Sequence, residues 1–359
     1  MKKQILLSFI AVCIIQFALA QKTPVRFTEL PVYGKLFDTP QKYHRVDTLK
    51  YNDMPAAVKR LYTNSAGLFV TFKTNAPEIY AKWCVTKRRV GLNLTAIANK
   101  GLDVYIKNAQ GQWQYASSKG TIKECEELKL AEYLGTNEKE FLVYLPLYDE
   151  TKNLQIGVTE GYTVEPLSNP FKKNIVVYGS SIVHGASASR SGMAYPAIMS
   201  RRTGLNFVNF GISGNARMEK EVVHMLGDIN PDVFVLDCVP NSSPEQVAGR
   251  TAYLVEYIRK KHPNIPIVMI PSVVRELSFF NQNWNVRNRE QNRQWKAEYQ
   301  KLIAKGVKGL YYLDDDFLLG HDHEGTTDGT HPNDLGFMRM ADKIEPFVLE
   351  VMKKHAILP

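Results

Sequence analysis

The chain has 359 residues, 44% hydrophobic and 23% charged, which is enough apolar material for a folded core and more length than one average domain needs. This balance excludes a disordered or fibrous chain. The net charge of +9 carries no long Lys/Arg run, only TKRR at 86–89 and RKKH at 259–262, so both read as solvated surface and nucleic acid is not an expected partner.

The opening MKKQILLSFIAVCIIQFALAQ has a basic start at Lys2 and Lys3, an apolar run from Ile5, and small residues at Ala18 and Ala20. It reads as a signal peptide over 1–20, cut after Ala20. The run is shorter than the ~20 residues that a bilayer-spanning helix requires, so no membrane span is expected. The mature protein should be exported, periplasmic or secreted. Cleavage removes Lys2, Lys3 and Cys13, lowering the charge by two to +7 and leaving three cysteines. In an oxidising compartment Cys84 and Cys125 could pair. Cys238, inside the apolar run DVFVLDCV, should be a buried inert thiol.

From 21 to 165 the chain alternates apolar and polar residues in short runs. Leu68, Val70 and Phe72 share one face, as do Ile79, Ala81, Trp83 and Val85, and as do Phe141, Val143, Leu145 and Leu147. Period two predicts strands. Several such strands, with turns such as NAQGQ at 108–112 and no clear helical stripe, predict a β-sandwich or jelly roll. Two prolines and no periodicity in the next stretch predict a linker over 166–173.

From 174 to 359 the pattern changes. NIVVYG, NFVNFG, DVFVLDCV and IPIVMIPS are continuous apolar runs, as expected of parallel strands buried on both faces. Helical stretches lie between them. The clearest begins with Ser243 as N-cap, Pro244 at the first position and Gln246 completing a capping box, then runs through Val247, Leu254 and Ile258 toward Pro263. Strand and helix alternating this way predict a doubly wound, flavodoxin-like α/β domain whose ligands bind beyond the carboxyl ends of the strands.

Those ends are rich in Gly, Ser and Asn: YGSSIVHGA, NFGISGN, CVPNSS, and DGTHP after the last strand-like run. A serine, an Asp/His pair, an asparagine and a tight glycine turn are what acyl transfer needs: a nucleophile, an oriented base and donors to an oxyanion. Four of these blocks resemble, in order, the motifs of the SGNH or GDSL-like hydrolases. GSSIVHG is similar to G-D-S-x-x-x-G, NFGISGN to the glycine block, VPN to G-x-N and DGTHP to D-x-x-H-P. The resemblance implies Ser181 as nucleophile and His331 as base oriented by Asp328. The oxyanion donors would be the amides of Ser181 and Gly214 with the Asn241 side chain. It implies no cofactor. Ser180 departs from the family's Asp, and Val239 and Pro240 stand in place of glycines before Asn241, which bears on the shape of that loop. In the first half GLDVY at 101–105 and the stretch 141–158 resemble the G-x-D-L-Y β-domain that precedes some bacterial SGNH enzymes.

A three-residue Asp/His spacing on a turn lets the carboxylate hold one imidazole nitrogen while the other faces the serine, and Pro332 is expected to open the terminal helix. Other residues are weaker candidates. His184 could touch substrate, although its position beside the serine turn reads as an exposed loop. Arg275 could take an anionic group or make a surface ion pair. Trp284, with Phe279 and Phe280, could line the pocket or pack the helix start. His321, Asp322, His323 and Glu324 read as a polar loop, and no metal is expected because a third spaced ligand is missing. The leading expectation is an exported serine esterase removing a small acyl group, acetyl foremost, from a carbohydrate or related small substrate. The alternatives are a lipid or thioester hydrolase with the same site, or a carbohydrate-binding protein with weak or no catalysis. Tyr105, Trp113 and Tyr115 in the β-domain could stack on sugars or fill its core. The oligomeric state is not legible in the sequence.

Overall fold

The computed structural model describes residues 24–358 apart from 316, so the signal-peptide reading lies outside the described residues. The first unit holds strands β1 (Val25–Thr28), β2 (Phe69–Thr74), β3 (Ile79–Val85), β4 (Leu102–Lys107), β5 (Trp113–Lys119), β6 (Cys125–Ala131), β7 (Lys139–Tyr144), β8 (Thr151–Thr159) and β9 (Glu165–Pro166). They form two antiparallel sheets in the orders β1-β8-β3-β6 and β5-β4-β7-β2-β9, a β-sandwich. Its core is the predicted alternation: Val70, Phe72, Val104, Phe141 and Val143 from one sheet meet Ile79, Ala81, Trp83, Leu154 and Ile156 from the other. Cys84 and Cys125 stand opposite each other on β3 and β6 and form a disulfide.

Two features differ from the sequence expectation. Short helices α1 (Ala56–Tyr62) and α2 (Ala96–Lys100) interrupt the strands; neither is long enough to display a helical stripe. The second difference is that β7 is buried on both faces. Phe69, Tyr105, Leu142 and Tyr144 point away from the sandwich core and pack against Phe171 and Ala197. The five-stranded sheet is therefore a middle layer, and an apolar residue at every position of Phe141–Tyr144 serves two interfaces at once.

The second unit holds β10 (Lys172–Gly179), β11 (Leu205–Gly211), β12 (Val233–Asp237), β13 (Ile267–Met269) and β14 (Leu310–Tyr312). All pair in parallel, in the order β11-β10-β12-β13-β14. This is the flavodoxin-like order, with the first strand second from the edge. Its helices are α3 (Ser181–His184), α4 (Tyr195–Thr203), α5 (Lys220–Gly227), α6 (Pro244–Lys261), α7 (Gln282–Ala304) and α8 (Asp334–Lys354). Val176 and Tyr178 of β10 face α5, α6 and α7, while Ile175 and Val177 face α4 and α8. Ser243, Pro244 and Gln246 make the predicted capping box at the start of α6. Cys238 is fully buried.

The two units share one body. Val46, Tyr51, Met54, Val58, Leu61 and Tyr62, which lie between β1 and β2, belong to the core on one face of the parallel sheet. The segment 166–173 is pinned by Leu167 N–H to the Thr71 carbonyl at 3.1 Å and by buried Phe171, whose ring lies 5.3 Å from Phe69.

Candidate active site

The carboxyl ends of β10, β11 and β12 open on one side of the sheet, and the sequence puts its tightest turn at the first of them. Gly179 ends β10, Ser180 accepts the Ile182 N–H at 3.2 Å as N-cap, and the single turn α3 carries Ser181 at its first position. Ser180 thus does the capping that an Asp would do, which is why the departure there costs little. The first N–H groups of a helical turn have no partner within it, so the Ser181 amide is available. Gly211, at the end of β11, lies so close to this turn that a Cβ there would sit 2.1 Å from the His184 nitrogen. Glycine is required for the two strand ends to meet.

DGTHP forms a loop closed by the Thr327 N–H to the His331 carbonyl at 2.9 Å. Asp328 Oδ1 accepts the backbone N–H groups of Thr330 and His331 at 3.0 and 2.8 Å, which aims the carboxylate. Asp328 Oδ2 then accepts from His331 Nδ1 at 2.8 Å, and His331 Nε2 lies 2.9 Å from Ser181 Oγ. With Nδ1 bearing the proton, Nε2 is the acceptor for the serine hydroxyl. Partial burial tends to raise the Asp328 carboxyl. The His331 amide, the His331 ring and the Thr330 amide outweigh it and hold the carboxyl below its ordinary value. Ser181 is 6% exposed, so its hydroxyl is shielded but reachable. Pro332 does not open α8: Asn333 is the N-cap, accepting from Gly336 N–H at 2.9 Å, and the helix starts one residue later.

Gly214 sits in the loop after β11 with φ +70°, the left-handed region that favours glycine. Asn241, in the loop after β12, donates its Nδ2 to the Asn215 carbonyl at 2.8 Å, which ties the second and third blocks together and leaves its other N–H unspent. The loop before it is held from below. Gln291 Nε2 of α7 donates to the Ser242 carbonyl at 2.5 Å and to those of Val239 and Pro240 at 3.3 Å, and Arg275 Nη2 donates to the Pro240 carbonyl at 2.5 Å. A side-chain cradle replaces the absent glycines.

The weaker candidates need correction. His184 is not on an exposed loop: it is fully buried, bonds the Leu147 carbonyl through Nε2 at 2.6 Å and stacks on Tyr148 at 4.2 Å. Burial, then the Arg45 charge, push its pKa well below the ordinary value, so the ring is neutral and joins the two units. Arg275 is neither exposed nor in an ion pair. It is 3% exposed, finds no acceptor for Nε or Nη1 among the described residues, and is pushed down to about 10 by burial and by Arg287. Two guanidinium groups lie by the Trp284 ring, Arg275 at 4.6 Å and Arg287 at 5.4 Å. In the polar loop, Asp322 is taken by Arg339 and His323 by Glu276. Tyr105 is buried, bonded to Arg190 and covered by Arg201 at 4.0 Å, so its ring is not free for a sugar, whereas Tyr115 is 52% exposed with Arg190 at 4.1 Å from its ring. Lys107 lies 5.4 Å from the Trp113 ring.

Residues that the sequence did not single out complete the surroundings. Arg45 is buried and donates to the carbonyls of Leu61, Asn64, Asn209 and Gly211 at 2.7–3.0 Å, holding the end of β11. Asp103 Oδ2 accepts from Gly192 N–H at 2.8 Å and from Arg190 at 2.9 Å. The Asp and Tyr of GLDVY are thus the grip of the sandwich on the segment after the serine turn. The Tyr148 hydroxyl is 3.5 Å from the Ser181 carbonyl, and Asn93 Nδ2 is 3.1 Å from Asp328 Oδ2.

Residues 172–349 match the model of the GDSL-like Lipase/Acylhydrolase family, and residues 23–164 match the N-terminal domain of SGNH-hydrolase-type esterases named GxDLY. A Bacteroides ovatus protein assigned as a GDSL-like lipase shares 49% identity over 92% of this chain and 98% of its own, with a TM-score of 0.90. The chain belongs to the GDSL-like lipase/acylhydrolase family. Two more distant structures share the fold. The salicylyl-acyltransferase SsfX3 of a tetracycline biosynthetic pathway is 18% identical over 93% of this chain and 99% of its own, TM-score 0.73. A family two carbohydrate esterase from Cellvibrio japonicus is 12% identical over 80% and 90%, TM-score 0.58. Among curated proteins none matches. In this GDSL-like chain the serine, histidine and aspartate blocks meet at one point, and among the described residues no helix is long and apolar enough to cross a membrane.

Proposed function

We propose that the protein is an exported serine esterase that removes a small acyl group, acetyl foremost, from a carbohydrate or a related compact alcohol. One observation carries the reading: the unbroken chain from Ser181 Oγ through His331 to Asp328, with links of 2.9 and 2.8 Å. In it Ser181 attacks the ester carbonyl as His331 Nε2 takes the hydroxyl proton. Asp328 keeps the imidazole in the competent tautomer and stabilises its protonated form. The amides of Ser181 and Gly214 and the Asn241 side chain receive the tetrahedral oxyanion. His331 then returns the proton to the leaving alkoxide, and water repeats the cycle on the acyl-enzyme.

The substrate class is supported by what borders the histidine. Leu277 N–H bonds the Gly329 carbonyl at 3.0 Å, which brings the segment Glu276–Phe279 beside the DGTHP loop. There Phe279 and Phe280 are 45% and 96% exposed along an open groove of about 1020 Å³ that also includes Asn281, Gln282 and Asn283. Exposed aromatic faces beside amide side chains suit a sugar ring. A long acyl chain calls for an enclosed apolar channel instead.

The test is hydrolysis of acetyl, butyryl and octanoyl esters by the full chain. Ser181→Ala should abolish turnover and labelling by a serine-reactive phosphonate with the melting temperature unchanged. Retained activity would remove Ser181 from the mechanism, and a preference for octanoyl esters would overturn the small-acyl assignment.

A further inference from the structure

The loop between β3 and α2 leaves the sandwich and crosses to the DGTHP loop of the other unit. It is anchored on both sides of its tip. Arg88 Nη1 donates to Asn64 Oδ1 at 2.8 Å before the tip, and after it Thr95 Oγ1 donates to the Ser189 carbonyl at 2.6 Å while capping α2 through the Ala98 N–H at 2.9 Å. Between these anchors Leu92 stands free in solvent, and Asn93 turns inward. Its Nδ2 lies 3.1 Å from Asp328 Oδ2 and 3.3 Å from His331 Nδ1.

The chemistry of the three groups fixes how they bond. An ionised carboxylate only accepts, an amide nitrogen only donates, and His331 Nδ1 carries its proton when Nε2 faces the serine. Asn93 and His331 therefore cannot bond each other through these nitrogens. Both donate to the same oxygen, Asp328 Oδ2. The reversed amide would set its carbonyl oxygen against the carboxylate and is disfavoured. Asp328 receives four N–H groups: two backbone amides on Oδ1, and an imidazole and an amide side chain on Oδ2.

We infer that Asn93 is a positioning residue for the acid–histidine pair, supplied by the sandwich unit to the hydrolase unit. It rests on the reading of Ser181, His331 and Asp328 given above. Asn93 shares the oxygen that holds His331, so it tempers how strongly Asp328 stabilises the protonated imidazole. It also fixes the side of the carboxylate from which the ring is held. The sandwich thereby sets the basicity of the catalytic histidine as well as bracing the fold.

The sign of the effect follows. With the amide gone, Oδ2 accepts from His331 alone and more strongly, so the protonated ring is favoured and deprotonation requires a higher pH. With a second carboxylate in its place the added negative charge acts in the same direction and further.

The experiment compares wild type, Asn93→Ala and Asn93→Asp as full-length protein. In Asn93→Ala the acid limb of kcat/KM should move up by about 0.5 pH and kcat should fall about threefold to tenfold, with KM within twofold. In Asn93→Asp the limb should move up by about 1 pH or more. The His331 Nδ1 proton resonance, identified by its loss in His331→Gln, should move downfield in Asn93→Ala. That readout does not depend on turnover. Unchanged limbs and an unchanged resonance in both variants would overturn the inference, as would a change confined to KM. Ser181→Ala separates the two levels: if it stays active the esterase reading fails, whereas the Nδ1 resonance still reports on Asn93.

Discussion

The Tyr195 hydroxyl donates to the Asp237 carboxyl at 3.0 Å, with both side chains sealed beneath the strand ends that carry the site. Burial pushes this carboxyl up to about 8, and the Tyr195 bond offsets only part of it. The folded protein therefore keeps a proton that the unfolded chain releases near pH ~4. Between those two values the native state binds more protons than the unfolded state, so this group's contribution to stability declines as pH rises. Asp237→Asn keeps the acceptor for Tyr195 and removes the decline. Its melting temperature should match wild type at about pH 4 and exceed it increasingly toward about pH 8. A pH-independent difference would show that Asp237 does not hold the proton.

Arg45 should be among the most costly residues to lose. Its removal takes a donor from four buried carbonyls, two of them on β11 beside the glycine block. Arg45→Met should cost about 3–5 kcal/mol in denaturant unfolding. Arg45→Lys should recover little, because a point ammonium cannot reach four acceptors arranged around a planar fork. Full rescue by lysine would mean that charge alone matters there.

Gln291 offers a test of the proposed oxyanion loop that leaves Asn241 itself intact. Gln291→Leu removes one donor from the carbonyls of Val239, Pro240 and Ser242, with Arg275 still on Pro240, and should let the loop shift by a fraction of an ångström. The expected result is a fall in kcat of about tenfold with KM within twofold, since a misplaced donor is felt in the transition state more than in the ground state. A loss carried wholly by KM would place Gln291 in substrate binding instead.

What the sequence made legible was local. Period two in Ile79–Val85, the continuous run in β10 and the capping box at Ser243 each lie within a few consecutive residues, so each could be read before any fold was known. DGTHP likewise holds the proposed acid and base, Asp328 and His331, and their turn in five positions. The illegible parts depend on distant segments. Asn93 is 235 residues from Asp328, and nothing in GLNLT marks it. His184 carries a polar side chain in a loop-like stretch, yet its ring lies under Tyr148 because the sandwich closes over the serine turn. Tyr105 read equally as a sugar platform or as core. The identity of Arg190 and Arg201 as its neighbours was decided only when the two units met.

The grip of Arg45 on β11 also governs the order in which the chain can be made. Its carbonyl partners at Asn209 and Gly211 lie 164 and 166 residues downstream, so the ribosome needs on the order of ten seconds to supply them. Through that interval the nascent sandwich can pair its strands but cannot bury Phe69, Tyr105, Leu142 and Tyr144, whose cover arrives with Phe171 and Ala197. Until then those apolar side chains face water and the Arg45 guanidinium is hydrated instead of bound to β11. It is this intermediate, more than the finished enzyme, that is expected to need chaperones and to determine expression yield.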